Sequence, residues 1–260
     1  MNKEVDIDSC DMYEFMNIHV GLSVLHPGGK KATDELIELL PLDNRKTVLE
    51  IGSGTGITAI YLAKKYGCKI VGIDINNELV NKANHAAERA GVSQLVSFAV
   101  GDARHLDFKD EQFDVIFSQA ILVLIDDDEK ELAIREVKRV LKSGGISAWS
   151  ELSWGKEPTR EFLTVAAKQT CSKGISNATT FEGWKALLIK AGLKNIQVKE
   201  VLFQVRGIFS IIEDEGIKNG IRIMWKYIVN NKIRNRMRQL SSFFAAYPEY
   251  LGYGIYLGSK

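Results

Sequence analysis

The chain has 260 residues, 45% hydrophobic and 26% charged, with a formal net charge of +1. That balance excludes a disordered chain and allows one sizeable core, and the near-zero charge gives no global field for nucleic acid. The acidic opening MNKEVDIDSCDMYEF lacks the regions of a secretory signal, and no apolar run reaches the roughly 20 residues of a membrane span, so a cytoplasmic location is expected.

After an irregular opening, residues 32–41 carry helical spacing and stop at Pro41. TVLEIG (47–52) is a short β-rich run that ends in glycines, 57–66 is helical, and CKIVGID (68–74) is a second apolar strand closing on an acid. This β-α-β unit is of the parallel type. A helix over 77–90, strands over 96–102 and 113–119, a helix over 128–141, a turn at Ser143-Gly144-Gly145 and a strand over 146–152 continue the alternation. A helix over 158–172 follows, then one opened by a capping box at Thr179 and Glu182 and closed at Gly192. A strand over 195–205, a helical stretch over 207–246 and a Tyr/Ile/Gly-rich strand over 250–258 complete the chain. Cys10, Cys68 and Cys171 are widely spaced and read as reduced, structural thiols, and no metal site is expected.

The segment Glu50-Ile51-Gly52-Ser53-Gly54-Thr55-Gly56 lies between the first strand and the helix at 57. Glycines there let the backbone turn sharply and approach a ligand, while the helix start offers free N–H groups. Asp74, closing the second strand, is placed to accept hydrogen bonds from ribose hydroxyls, which points to an adenine nucleoside. A dinucleotide site would want G-x-G-x-x-G, with a glycine where this chain has Ile57.

The spacing found, G-x-G-x-G in VLEIGSGTG, resembles the first motif of class I S-adenosylmethionine-dependent methyltransferases. GIDIN with Asp74, GDARHLDF with Asp102, FDVIFSQA, and LKSGG follow in that family's order, and the last two strands suit its closing hairpin. The resemblance implies a doubly wound, Rossmann-like α/β fold. It would have a seven-stranded, mostly parallel sheet, a C-terminal antiparallel hairpin strand, a helical insertion and an N-terminal cap. It further implies that Gly52, Ser53, Gly54 and Gly56 meet the methionine part of the cofactor, with Glu50 near its ammonium group. Asp74 would bind the ribose, Ile75 lie against the adenine, Asp102 and Ala103 bond to the adenine, and Ser118 and Gln119 sit beneath the transferred methyl. Gly56 also suits close helix–strand packing, and Asp102 a turn or helix cap.

The acceptor should meet the methyl group outside the carboxyl ends of the strands, near Gln119 and Glu151. The aromatic and Met-rich N-terminal segment offers Tyr13, His19 and His26 for acceptor contact or proton removal. Tyr13, His26 and Glu151 are the candidate catalytic residues, with a surface or packing role as the competing reading for His26 and an exposed strand-end carboxylate for Glu151. Leu122-Val123-Leu124 suggests an apolar pocket, and Asp126, Asp127 and Asp128 read as helix caps.

Residues 207–246 carry scattered Lys and Arg among apolar residues, which suits a lid and also peripheral contact with an anionic membrane; Glu213, Asp214 and Glu215 nearby favour the lid. The division expected is a cap over 1–30, a core over 31–206 and 247–260, and the lid over 207–246. The expected activity is methyl transfer from S-adenosylmethionine to an O, N or C atom of a small-molecule acceptor, with no nucleic-acid partner. A nicotinamide-dependent oxidoreductase and a non-catalytic S-adenosylmethionine-binding protein are the alternatives.

Overall fold

The computed structural model describes residues 6–7, 11–202 and 209–260. The chain alternates strand and helix in the order expected: β1 (Thr47–Ile51), α3 (Ile57–Tyr66), β2 (Lys69–Asp74), α4 (Asn77–Ala90), β3 (Val96–Val100), β4 (Phe113–Gln119), α5 (Asp127–Val140) and β5 (Leu141–Trp154). Ahead of them lie α1 (Met12–Glu14), a wide helical turn over Phe15–Val20, and α2 (Gly29–Glu38). Behind them come α6 (Arg160–Thr170), α7 (Lys173–Ser176), a two-residue β6 (Thr179–Thr180), α8 (Phe181–Lys190) and β7 (Lys194–Leu202). Then follow α9 (Phe209–Val229), α10 (Asn231–Ala246) and β8 (Leu251–Ser259).

Among the described residues these strands form one sheet in the order β3-β2-β1-β4-β5-β8-β7, with β6 beside the end of β5. Pairing is parallel from β3 to β5 and antiparallel where β8 slots between β5 and β7. The central strands are buried along almost their whole length, whereas the edge strands β3 and β7 alternate with exposed positions. That is why the central runs read as continuously apolar in the sequence. Helices cover both faces: α2, α3 and α4 pack on Val48, Val115, Phe117 and Ala148, and α5, α6, α8 and α10 on Leu49, Ile116, Trp149 and Tyr256.

Several boundaries differ from the expectation, each for a local reason. Ser143-Gly144-Gly145 is not a turn before the fifth strand but an irregularity inside it, where the register on β4 shifts between Phe113 and Val115 and Gly144 takes a φ of 74°. The strand therefore starts at Leu141 and runs on to Trp154, which places Glu151 inside it. The cap of α8 is Thr180, whose hydroxyl accepts from the Gly183 N–H at 3.0 Å, so the capping box at Thr179 and Glu182 is displaced by one residue. Asp126 takes the N-cap position of α5 without a side-chain cap bond, while Asp127 and Asp128 supply acid to its first turn. Residues 203–205 of the expected strand lie outside the described residues, as does Cys10.

Glycines in β8 make room for a large neighbour. The Tyr256 side chain folds back over Gly254, where an added Cβ would stand 2.2 Å from the phenol oxygen, and that oxygen shares a 2.7 Å hydrogen bond with the buried Ser153 hydroxyl. Gly254→Ala should therefore overpack the sheet and lower stability by about 1–3 kcal/mol. Thermal or denaturant unfolding checks this, and an unchanged midpoint would contradict the packing described.

Candidate functional site

The strand order reverses between β1 and β4, because the chain leaves β1 toward β2 and β3 and then returns to lay β4 on the other side. In open α/β sheets the carboxyl ends of strands at such a point frame the ligand crevice. Here they carry Gly52 and Ser53 after β1, Asp74 at the end of β2, and Ser118 and Gln119 at the end of β4.

The glycine loop is held from below by β2. The N–H groups of Gly52 and Ser53 both donate to the Ile73 carbonyl, at 2.8 and 2.9 Å, and Gly54 donates to Asp74 Oδ2 at 2.9 Å. Asp74 Oδ1 accepts from Asn76 N–H at 2.9 Å. The three loop glycines all take positive φ, yet their surroundings separate them. A Cβ on Gly52 would fall 2.0 Å from Ile121 Cδ1, and one on Gly56 2.5 Å from the Phe98 ring, whereas one on Gly54 would meet nothing within 4 Å. Gly56 thus has a packing reason to be glycine, and Gly54 faces open space beside Asp74.

Glu50 lies beneath the loop, 5% exposed, and its Oε2 has no hydrogen-bond partner among the described residues. Burial pushes its pKa up to about 8; a hydrogen bond from the Ala59 N–H opposes the rise and the nearby Asp74 charge adds to it. The Ser53 and Ser118 hydroxyls and Trp149 Nε1 are likewise buried without partners. Native interiors satisfy most buried polar groups, so orphans gathered at one sheet edge fit a ligand that completes them. Ile75, directly after Asp74, is 71% exposed, an apolar platform at the crevice rim.

Asp102 is less free than the sequence suggested. Its carboxylate takes Arg104 N–H, Nε and Nη2 at 2.6–3.0 Å, and Arg104 also pairs with Glu129. These bonds hold the Asp102 pKa down and make it a turn residue in this conformation. Ala103 beside it is buried.

At the end of β4, His26, Thr33 and Gln119 form one cluster. Gln119 Nε2 donates to Thr33 Oγ1 at 2.9 Å and lies 3.3 Å from His26 Nε2, which is 2.9 Å from the same hydroxyl. An amide nitrogen only donates, so His26 Nε2 is the acceptor and the ring carries its proton on Nδ1. Burial lowers the His26 pKa to about 4. A neutral ring with its one lone pair committed is a weak base, and the competing packing role fits it better: it latches the N-terminal segment to the end of β4. Thr33, which anchors the cluster, gave no signal in the sequence beyond being a polar residue on a helix.

Glu151 is fully buried rather than an exposed strand-end acid. Its Oε1 accepts from the N–H groups of Ile121 and Leu122 at 3.2 and 3.0 Å, and Oε2 from Val123 at 3.3 Å. Burial pushes its pKa up to about 7 against those three bonds and the nearby Lys130. Through Ile121, Glu151 also fixes the side chain that covers Gly52. Tyr13 is half-buried, and burial, with Glu151 and then Asp11 nearby, raises its phenol so that it stays protonated. Tyr13, Leu124 and Ser172 converge on Gly174, each within 3.5 Å of where its Cβ would be.

Both Glu50 and Glu151 have folded pKa values raised above their unfolded value, so each favours the folded state at low pH and loses that contribution as pH rises through about 8 and about 7. Asp114 acts oppositely: despite burial, bonds from Lys142 and Thr47 hold it at about 2, so its contribution is lost only in acid. The ligand-free protein should therefore lose thermal stability between about pH 5 and 8, and Glu50→Gln should flatten the upper half of that decline. Calorimetric melting across this range checks it; a melting point that rises with pH would contradict it.

Comparison with known proteins agrees with the geometry. Residues 48–145 match the family model described as a methyltransferase domain. An uncharacterised protein of Haemophilus influenzae is 31% identical over 208 residues, 79% of this chain and 81% of the relative. The 27-O-demethylrifamycin SV methyltransferase of Amycolatopsis mediterranei is 29% identical over 190 residues, 71% of this chain and 69% of that one. The fold resembles that of a methyltransferase from Thiobacillus denitrificans crystallised with S-adenosylhomocysteine (TM-score 0.63, 23% identity, covering 96% of this chain and 100% of that one). With the glycine loop, its acids and the sheet reversal in their places, the chain belongs to the class I S-adenosylmethionine-dependent methyltransferases.

Proposed function

We propose that the enzyme methylates an O, N or C atom of a small, largely apolar acceptor and that the loop after β1 holds the methyl donor. The observation that carries the donor site is the unpartnered Glu50 Oε2 beneath a glycine loop whose middle residue, Gly54, opens onto free space. S-adenosylmethionine supplies an electrophilic methyl group on its sulfonium. In this reading Glu50 takes the ammonium of the methionine part, Ser53 and the loop N–H groups its remaining polar atoms, and Asp74 the ribose hydroxyls, with Ile75 under the adenine. Ala103 and the Asp102 turn flank that adenine, and Asp102 would meet its amino group once Arg104 yields a carboxylate lone pair. Gly52 and Gly56 shape the loop, and Ser118 and Gln119 close the floor under the reacting centre.

Transfer from a sulfonium to a nucleophile is an in-line displacement in which positioning supplies much of the acceleration. The N-terminal cap and the lid cover the acceptor side; the cap is joined to the core through the His26–Thr33–Gln119 cluster, and the lid to the cap through Asn219 and Lys226. Tyr13, kept protonated, donates a hydrogen bond to the acceptor's heteroatom. Glu151, near neutral in pKa, holds the turn at Ile121–Val123 and receives a proton when the nucleophile carries one.

Calorimetric titration with S-adenosylmethionine, S-adenosylhomocysteine and NADH tests the donor site. Only the first two should bind. Asp74→Ala, which removes charged hydrogen bonds worth about 1.5–3 kcal/mol each, should weaken them by roughly a hundredfold. Gly54→Ala should weaken them too, with a stability loss of only about 1–2 kcal/mol from its positive φ. NADH binding instead, or an Asp74→Ala variant with unaltered affinity, would overturn the assignment.

A further inference from the structure

Two acids at the start of the basic stretch are held by the N-terminal segment. Asp214 Oδ1 accepts from the Lys30 N–H at 2.9 Å, at the start of α2. Glu215 accepts from Ser23 N–H, the Ser23 hydroxyl and Val24 N–H at 2.7, 2.6 and 3.0 Å. Both carboxylates are turned onto the N-terminal segment. From residue 216 to residue 248 the sequence contains no Asp or Glu, but it contains Lys218, Arg222, Lys226, Lys232, Arg234, Arg236 and Arg238. In a chain whose whole formal charge is +1, this stretch is a concentrated positive region on an otherwise net acidic molecule.

The same stretch exposes its apolar side chains. After a break at Gly216, α9 presents Ile217, Ile221, Trp225 and Ile228 at 73, 61, 65 and 61% exposure, with Val229 at 55%. The spacing of four, four and three residues puts them on one helical face. The opposite side anchors the helix: Ile223 is fully buried, Asn219 Nδ2 donates to the Gly21 carbonyl at 3.1 Å, and Lys226 Nζ to the His19 carbonyl at 2.7 Å. Lys218 lies exposed on the same outward face as the stripe, and Lys232 is exposed just beyond it. Contiguous exposed apolar patches of this kind are rare on soluble monomers unless something binds them. Among the described residues no helix is long and apolar enough to cross a membrane.

We propose that the outer face of α9 is a docking surface for an anionic lipid bilayer, on which the helix lies flat. Trp225 and the isoleucines enter the boundary between headgroups and acyl chains, and Lys218 and Lys232 meet the phosphates. Charge selects this occupant. A second copy seated on the same face would bring two stretches together that each carry seven cations and no acid over 216–248, whereas an anionic surface neutralises them.

The full-length protein mixed with vesicles of equal parts phosphatidylglycerol and phosphatidylcholine, or of phosphatidylcholine alone, and spun down, tests this. Binding should require the anionic lipid and fall steeply with added salt, because exposed charges are screened beyond about 8–10 Å at physiological ionic strength. Trp225→Ser combined with Ile221→Ser should weaken binding at least about tenfold, and Lys218→Glu combined with Lys232→Glu by roughly fivefold or more per cation. Each variant should keep the wild-type melting point, which separates lost docking from lost folding. Equal binding to both vesicles, no binding to either, or a lipid-independent dimer that Trp225→Ser dissociates would overturn the proposal.

Discussion

The site depends on how β2 clamps the loop that leaves β1. One carbonyl, that of Ile73, takes both the Gly52 and Ser53 N–H groups, and Asp74 takes the next one at Gly54. Those bonds force the chain into consecutive positive-φ turns and aim the following helix start at the crevice. Glu50 is trapped beneath with one oxygen unpaired, at a cost in desolvation that its raised pKa records. A buried, half-satisfied carboxylate at the crevice fits the cation that we propose the donor brings.

The acceptor side is built differently. Its walls come from segments far apart in the chain and joined by polar contacts: Glu151 to the turn at Ile121–Val123, His26 and Thr33 to Gln119, and the α9 residues Asp214, Glu215, Asn219 and Lys226 to residues 19–30. The bonds of α9 to residues 19–30 involve exposed or half-exposed groups, contribute modestly and exchange with water, so this part is easier to open than the sheet beneath it. A rigid donor floor and a separable cover suit an enzyme that must admit and release two different molecules.

Most of what depended on periodicity and glycine spacing was legible in the sequence. The buried strands announced themselves as apolar runs, the loop by its glycine spacing, and the helices at 57–66 and 77–90 by their periodicity. What was hidden came from contacts between distant residues. No local signal shows that the Glu151 carboxylate reaches back to N–H groups some thirty positions earlier, or that the acids at 214 and 215 bond to the N-terminal segment. At Asp102 a short-range contact was hidden as well: Arg104, two residues on, bonds to its oxygens, which suits the turn role that the sequence also offered. Ser143-Gly144-Gly145 read as a turn because a bulge and a turn demand the same residues.

The central claim, that Glu50 waits for the donor's ammonium, is tested most directly by counting protons released when S-adenosylhomocysteine binds at pH 7, from calorimetric heats in buffers of different ionisation enthalpy. With Glu50 at about 8 in the free protein and ionised against the ammonium, the account predicts release of about 0.9 proton, absent in Glu50→Gln. Binding with no proton release, or with the same release in both proteins, would contradict it.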